Sequence, residues 1–177
     1  VCRSAVDFLT ETLSLDTSLI FLRENSELFL TASGPEEHTH PVDATPVHHV
    51  GECLCGLAIS TRLPIYVEDI HNDIRCTLNE CKHAGFVSFA AIPLLIGDDS
   101  VGVLGAASLK ARDFSLVSSF LETAGNHLAI SIHNARLLDE NQAYAVKLEQ
   151  SDEERTVAQQ ALKKNERLLT EIISATT

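Results

Sequence analysis

From Asp139 to Thr177 the chain contains neither glycine nor proline. Those two residues most readily interrupt a helix, so nothing local stops one across this tail. Place heptad core positions at 137, 144, 151, 158, 165 and 172, and at 141, 148, 155, 162 and 169. Seven of the eleven are then apolar: Leu137, Tyr144, Leu148, Ala158, Leu162, Leu169 and Ile172. A seven-residue repeat holds an apolar seam on one side of a helix, and two such helices bury it against each other. Residues 137–177 are therefore expected to form a parallel two-stranded coiled coil, which makes the chain a homodimer through its C-terminal helix. Asn165 falls at a core position, where a buried amide fixes register at some cost in stability. Ser151-Asp-Glu-Glu-Arg155 weakens the seam midway. A surface helix packed on its own domain would explain part of the pattern, but its length less well.

Residues 1–136 read as one domain of mixed elements. Arg3 to Leu15 has a helical rhythm, with Val6, Leu9, Leu13 and Leu15 near one face. Ser18–Arg23 and Leu28–Ala32 read as a hairpin turning at Glu24-Asn25-Ser26. Ser33 to Val47 is rich in Pro, Glu, His and Thr and reads as a mobile loop carrying solvated His38 and His40. Gly51–Arg62 reads as a short helix, Ile65-Tyr66-Val67 as a strand, and Cys76–Ala84 as a second short helix stopped by Gly85. Ser88–Ile96 and Val101–Ser108 are strands joined by the turn Gly97-Asp98-Asp99-Ser100, and from Phe114 onward the pattern is helical.

Hydrophobic content of 45% supports a core that does not depend on disulfides. A net charge of −12 argues against nucleic acid and against anionic membranes, since both demand a basic patch. No apolar run approaches the roughly 20 residues of a bilayer span, so no direct membrane insertion is expected. No signal peptide is visible at Val1-Cys2-Arg3, and a cytoplasmic location is expected. A start at Val1 in a chain without methionine suggests a piece of a longer protein.

Four of the five cysteines fall within 29 residues: Cys53-Leu-Cys55, then Cys76-Thr-Leu-Asn-Glu-Cys81 after a spacer of twenty. In a reducing compartment such clustering points to metal or redox chemistry more than to structural staples. Thiolate sulfur suits zinc and iron–sulfur clusters, and four thiolates are what such centres take. Cys53, Cys55, Cys76 and Cys81 are therefore candidate ligands of an iron–sulfur cluster or zinc. Cysteines at i and i+2 diverge on a helix, so Cys53 and Cys55 can share a site only if the backbone there is not helical. Two other readings stay open: a reversible disulfide, and inert small core residues. His48-His49, His71 and His83 could supply a ligand, though surface loop positions are the simpler reading. His127 and His133 read as packing residues on the dimer-leading helix, and isolated Cys2 as a core residue.

The blocks Gly51-Glu-Cys-Leu-Cys-Gly56, Leu63-Pro-Ile-Tyr-Val-Glu-Asp69, Gly85-Phe-Val-Ser-Phe-Ala-Ala-Ile-Pro93, Val101-Gly-Val-Leu-Gly105 and Asp113-Phe-Ser115 together resemble a GAF domain. The order and spacing of the blocks carry the resemblance, which runs from about residue 4 to 136. It implies an α+β fold: an antiparallel sheet of five or six strands with helices on one side and a ligand pocket on the other, the N-terminal helix truncated. Gln160–Ile173 resembles the signalling helix that leads into a following PAS domain. That implies a place in a multidomain bacterial or archaeal signalling protein, such as a sensor histidine kinase of a two-component system, with a PAS or kinase domain downstream in the same chain. The chain itself is then expected to be a regulatory sensor and not an enzyme. It would read redox state, a gas or a metal through the cysteines and relay the change along the dimeric helix.

GAF domains bind diverse ligands, so two further readings are kept. One is a pocket for a nucleotide or other small molecule with inert cysteines. Only Arg62, Arg75 and Lys82 are nearby cations for it, and haem would need a His or Cys axial ligand. The other is a thiol enzyme similar to the free methionine-(R)-sulfoxide reductases, which carry a cysteine before a glycine, as in Cys55-Gly56, and another after an aspartate-containing loop, as from Asp69 to Cys76. Where those enzymes place an acidic residue before a hairpin strand, this chain reads Phe86-Val-Ser-Phe-Ala-Ala91.

Overall fold

The computed structural model describes residues 1–35 and 47–175, with side chains described throughout except at 153, 157 and 160–175. The elements in chain order are α1 (Cys2–Leu13), β1 (Thr17–Glu24), β2 (Glu27–Gly34), β3 (Val47–His49), α2 (Cys53–Thr61), β4 (Ile65–Val67), α3 (Glu80–His83), β5 (Ser88–Ile96), β6 (Asp99–Ser108), a 3₁₀ turn (Phe114–Val117) and α4 (Ser118–Ala175). The six strands form one antiparallel sheet in the order β3-β2-β1-β6-β5-β4. The chain divides into two compact units, Val1–Asn134 and Ala135–Thr177.

Both faces of the sheet are covered, which is why β1, β5 and β6 read as nearly unbroken apolar runs. Side chains alternate across a strand. Leu19, Phe21, Phe89, Ala91, Val103 and Ala107 point to one face, where α2 supplies Leu54, Ala58 and Ile59. Ile20, Ala90, Ile92, Leu94, Leu104 and Ala106 point to the other, where α1 supplies Val6 and Leu9, and α4 supplies Leu121, Leu128 and Ala129. Two bulges maintain this division. The β1–β2 pairing steps from Ile20↔Ala32 to Phe21↔Leu30, skipping Thr31. The β5–β6 pairing steps from Leu94↔Gly102 to Leu95↔Ser100, skipping Val101. An extra residue reverses the alternation beyond it, so Leu28 and Ala32 serve opposite cores although both are even-numbered, and Val101 joins the α4 side.

The expected hairpins are present. Asn25 takes φ 56° in the β1–β2 turn and Gly97 φ 57° in the β5–β6 turn. α1 ends at Ser14, whose left-handed conformation lets its N–H bond back to Glu11 and that of Leu15 to Thr10. Two expectations differ. The helix read over Cys76–Ala84 reduces to the single turn α3, and Cys76 lies outside it. In addition, both ends of the loop expected over Ser33–Val47 are strand: Ser33 and Gly34 close β2, and Val47 opens the edge strand β3 (Val47–His49) against Glu27–Phe29. Residues 36–46, with His38 and His40, lie outside the described residues.

The second unit is helical to Ala175, as the Gly- and Pro-free tail predicts. Leu137, Tyr144 and Leu148 stand exposed on it. The seam residues Leu162, Asn165, Leu169 and Ile172 lie outside the residues whose side chains are described. Among the described residues no helix is long and apolar enough to cross a membrane.

Candidate functional site

All four clustered cysteines converge on one small pocket between the sheet and α2. Cys53, Cys55, Cys76 and Cys81 line it together with Phe21 and His48, around a cavity of ≈ 20 Å³. That is about the volume one water molecule needs. The cysteines are unpaired; Cys53, Cys55 and Cys76 are buried, whereas Cys81 is partly exposed as a residue with its thiol on the pocket wall.

Local backbone solves the i, i+2 problem at Cys53 and Cys55. Cys53 opens α2, yet its φ is +49°. A non-glycine residue in that region is unusual and costs roughly 1 kcal/mol or more. The Cys53 thiol shares the pocket with that of Cys55 and takes a hydrogen bond from it. Three contacts hold it there. The Cys53 N–H donates to Thr77 Oγ1 at 3.1 Å, Sγ lies 3.8 Å from His48 Nδ1, and the Gly56 backbone N–H points at the sulfur.

Gly56 makes the close approach possible. The Gly51 N–H donates to the Gly56 carbonyl at 2.9 Å, and the Glu52 N–H to the His49 carbonyl at 3.1 Å, folding the end of β3 tightly over the start of α2. A Cβ on residue 56 would collide with the His49 carbonyl oxygen and sit 2.9 Å from the Gly51 nitrogen.

These surroundings divide the thiols. The hydrogen bond from Cys55 holds the Cys53 thiol well below the ordinary range, helped by His48 and the Gly56 N–H and opposed by burial. The same bond pushes Cys55 in the other direction, and its burial adds to the effect. The two titrate as a pair that readily gives up one proton and keeps the second. Burial pushes Cys81 up to about 12 and raises Cys76, whose thiol faces the Leu78 carbonyl at 3.7 Å. The surroundings therefore favour ionisation at Cys53 and oppose it at Cys55, Cys76 and Cys81. Among the described residues no group of three or more His, Cys, Asp or Glu side chains is arranged to hold a metal ion.

The histidines separate sharply. His48 is buried, its ring edge-on to Phe21 at 4.9 Å, and belongs to the site. A surface reading of His48 is thus corrected: in β3 the side chains alternate, so His48 points in and His49 out. His71 Nε2 lies 3.1 Å from the Phe86 carbonyl and His83 is exposed. His127 is exposed on α4 and His133 is half-buried. Cys2 is partly buried against the α1–α4 core.

The three nearby cations are each engaged. Arg75 pairs with Asp73 at 2.6 Å, Lys82 donates to the Cys76 carbonyl at 3.0 Å, and Arg62 holds the Gly97 carbonyl and Asp98. Lys82 thereby pins the Cys76 loop to α3.

Comparison with known proteins agrees with the fold. The chain is similar to the GAF domain from a phosphoenolpyruvate-protein phosphotransferase of Coxiella burnetii (TM-score 0.68, 23% identity, 78% of this chain and 84% of that one). It is similar also to a type II free methionine-R-sulfoxide reductase from Thermoplasma acidophilum (TM-score 0.62, 18% identity, 75% and 89%). A domain assigned to a two-component sensor histidine kinase from Sinorhizobium meliloti 1021 superposes comparably (TM-score 0.61, 18% identity, 78% and 93%). At these identities the likeness is one of fold. A search of curated proteins finds no match. The GAF-domain family model matches residues 1–133, three-quarters of the sequence, and with the six-stranded sheet and the pocket beneath α2 it establishes that the chain belongs to the GAF domain family.

Proposed function

We propose that this GAF domain is a regulatory thiol sensor within a signalling protein, with the four-cysteine pocket as receiver and the long helix as relay to a downstream PAS or kinase domain. One observation carries the reading: Cys53 and Cys55 share one pocket with His48, in surroundings that pull the Cys53 thiol down and push the Cys55 thiol up. A thiolate is the nucleophilic form, and a neighbouring thiol is what resolves its oxidised product. With a hydroperoxide, the Cys53 thiolate attacks the distal oxygen, the O–O bond breaks, and the alkoxide or hydroxide leaves with a proton. The resulting sulfenic acid is attacked by a second pocket thiol, forming the S–S bond and releasing water. Overall two thiols are oxidised and one hydroperoxide is reduced to alcohol and water. A disulfide here would pull on the start of α2 or on the loop that Lys82 holds to α3.

An iron–sulfur cluster or zinc at Cys53, Cys55, Cys76 and Cys81 has the right donor chemistry. The cavity of ≈ 20 Å³ and the lack of a ready ligand set among the described residues do not fit it, so no step is assigned to a metal. A reductase reading draws support from Cys55-Gly56 and Cys76 on this fold. Against it stands Phe86–Ala91, which offers no carboxylate for a substrate amine.

The test is protein purified without oxygen, analysed for metal, treated with hydrogen peroxide and mapped by mass spectrometry without reduction. A disulfide involving Cys53, lost in Cys53→Ser, supports the sensor. Stoichiometric metal on all four cysteines replaces it with a metal centre. Turnover of methionine-(R)-sulfoxide with thioredoxin replaces it with the enzyme.

A further inference from the structure

The dimensions and lining of the cysteine pocket limit what can reach its sulfurs. The cavity of ≈ 20 Å³ holds about one water-sized molecule. Phe21 and Phe89 line it from the sheet, Leu54 from α2, and Leu78 from the loop that follows Cys76. None of the residues lining it is Asp, Glu, Lys or Arg. Cys53 is only 7% exposed, so little of it can be touched from outside.

Residues 76–79 cover the pocket as a strap. They have no regular structure of their own, and α3 begins only at Glu80. Cys76 and Leu78 turn into the pocket while Thr77 between them is exposed. Two hydrogen bonds hold the strap down. Thr77 Oγ1 accepts from the Cys53 N–H at 3.1 Å, and the Cys76 carbonyl accepts from Lys82 Nζ at 3.0 Å. Hydrogen peroxide, one oxygen longer than water, can present an oxygen to Cys53 in this space, but an alkyl group cannot follow it. A larger molecule reaches the sulfur only when the strap lifts and its bonds break. A charged one meets a second barrier, because it sheds its hydration in a lining that offers no carboxylate, ammonium or guanidinium.

We infer that the oxidant read by this pocket is hydrogen peroxide itself, and that the strap at 76–79 excludes alkyl hydroperoxides by size and zwitterionic sulfoxides by size and charge. The inference rests on the thiol sensor proposed above and narrows its substrate. The Cys53 thiolate attacks one peroxide oxygen, the O–O bond breaks, and hydroxide leaves and takes up a proton as water. The sulfenic acid so formed adds a single oxygen, about what the cavity holds. A second pocket thiol attacks that sulfur, the S–S bond forms, and the oxygen leaves as a second water. Two thiols are oxidised and one hydrogen peroxide is reduced to two waters.

The test uses the full chain prepared without oxygen, with loss of the Cys53 thiol followed by peptide mass spectrometry under hydrogen peroxide or tert-butyl hydroperoxide. Rates are divided by those of free cysteine thiolate with the same two oxidants, which removes their intrinsic difference. Each strap bond is worth a factor of about 2 to 13. The preference for hydrogen peroxide should therefore exceed that of free cysteine at least about tenfold. Thr77→Ala, at an exposed position, and Leu78→Ala should each shrink that preference by raising the tert-butyl hydroperoxide rate, with melting curves recording that the fold is kept. A preference equal to that of free cysteine, or one unmoved by either substitution in folded protein, overturns the size filter and leaves the sensor standing. A Cys53 that neither oxidant touches overturns both.

Discussion

Gly56→Ala tests whether the junction of β3 and α2 builds the reactive thiol. The added methyl meets backbone on two sides, the His49 carbonyl oxygen and, at 2.9 Å, the Gly51 nitrogen; ordinary contact begins near 3.4 Å. Neither neighbour is the end of a flexible side chain, so relief requires α2 to lift from β3. Overpacking of this kind costs about 1–3 kcal/mol. For a unit of this size each kcal/mol is roughly 3–5 °C of melting temperature, which gives a loss of about 3–15 °C. The lift also withdraws the Gly56 N–H from the Cys53 sulfur. A hydrogen bond to a charged group contributes roughly 1.5–3 kcal/mol. Alkylation of Cys53 by iodoacetamide at mildly acidic pH should therefore slow at least about tenfold in the variant. Calorimetry gives the first quantity and peptide mass spectrometry of the alkylated protein the second. A variant with unchanged melting temperature and unchanged Cys53 rate would refute the reasoning at both levels.

Other outcomes follow from the same geometry. The fold opposes ionisation of Cys81, so it binds that proton more tightly folded than unfolded. Its contribution is present below the unfolded value of 9.0 and is lost as pH rises from there towards about 12. Melting temperature should fall over that window and fall less in Cys81→Ala, read by calorimetry across pH. Tyr66 on β4 donates to Glu122 of α4 at 2.8 Å. Tyr66→Phe should cost only about 0.5–1.5 kcal/mol, measured by urea unfolding, because the group is partly exposed. His48→Phe should keep the ring contact with Phe21 but remove the nitrogen near Cys53, slowing Cys53 alkylation while leaving the melting temperature within a few degrees.

Much of the fold was legible because its strands and helices obey simple periods. The hairpins announced themselves through Asn25 and Gly97, and the tail through its lack of breakers. What escaped was decided by long-range pairing. β3 is three residues long and exists only because Glu27–Phe29 offers an edge; its alternation, too short to weigh alone, is what buries His48. The helix expected across Cys76–Ala84 gave way because Asp73 bonds the Arg75 backbone and Lys82 bonds the Cys76 carbonyl, tying that segment as a loop. Spacing brought the four cysteines forward, and they do share a pocket. Spacing could not show that Cys53 is left-handed, nor that Cys55, His48 and the Gly56 N–H surround its sulfur and set its ionisation apart from the other three.

The most direct measurement is the pH titration of thiolate ultraviolet absorbance for the anaerobic protein, compared with Cys53→Ser. One thiolate already present at neutral pH, titrating far below 9.0 and absent from Cys53→Ser, is the expected result. Four thiols that all ionise near or above 9.0, with a titration unchanged by the substitution, would contradict the assignment of Cys53 as the sensing sulfur.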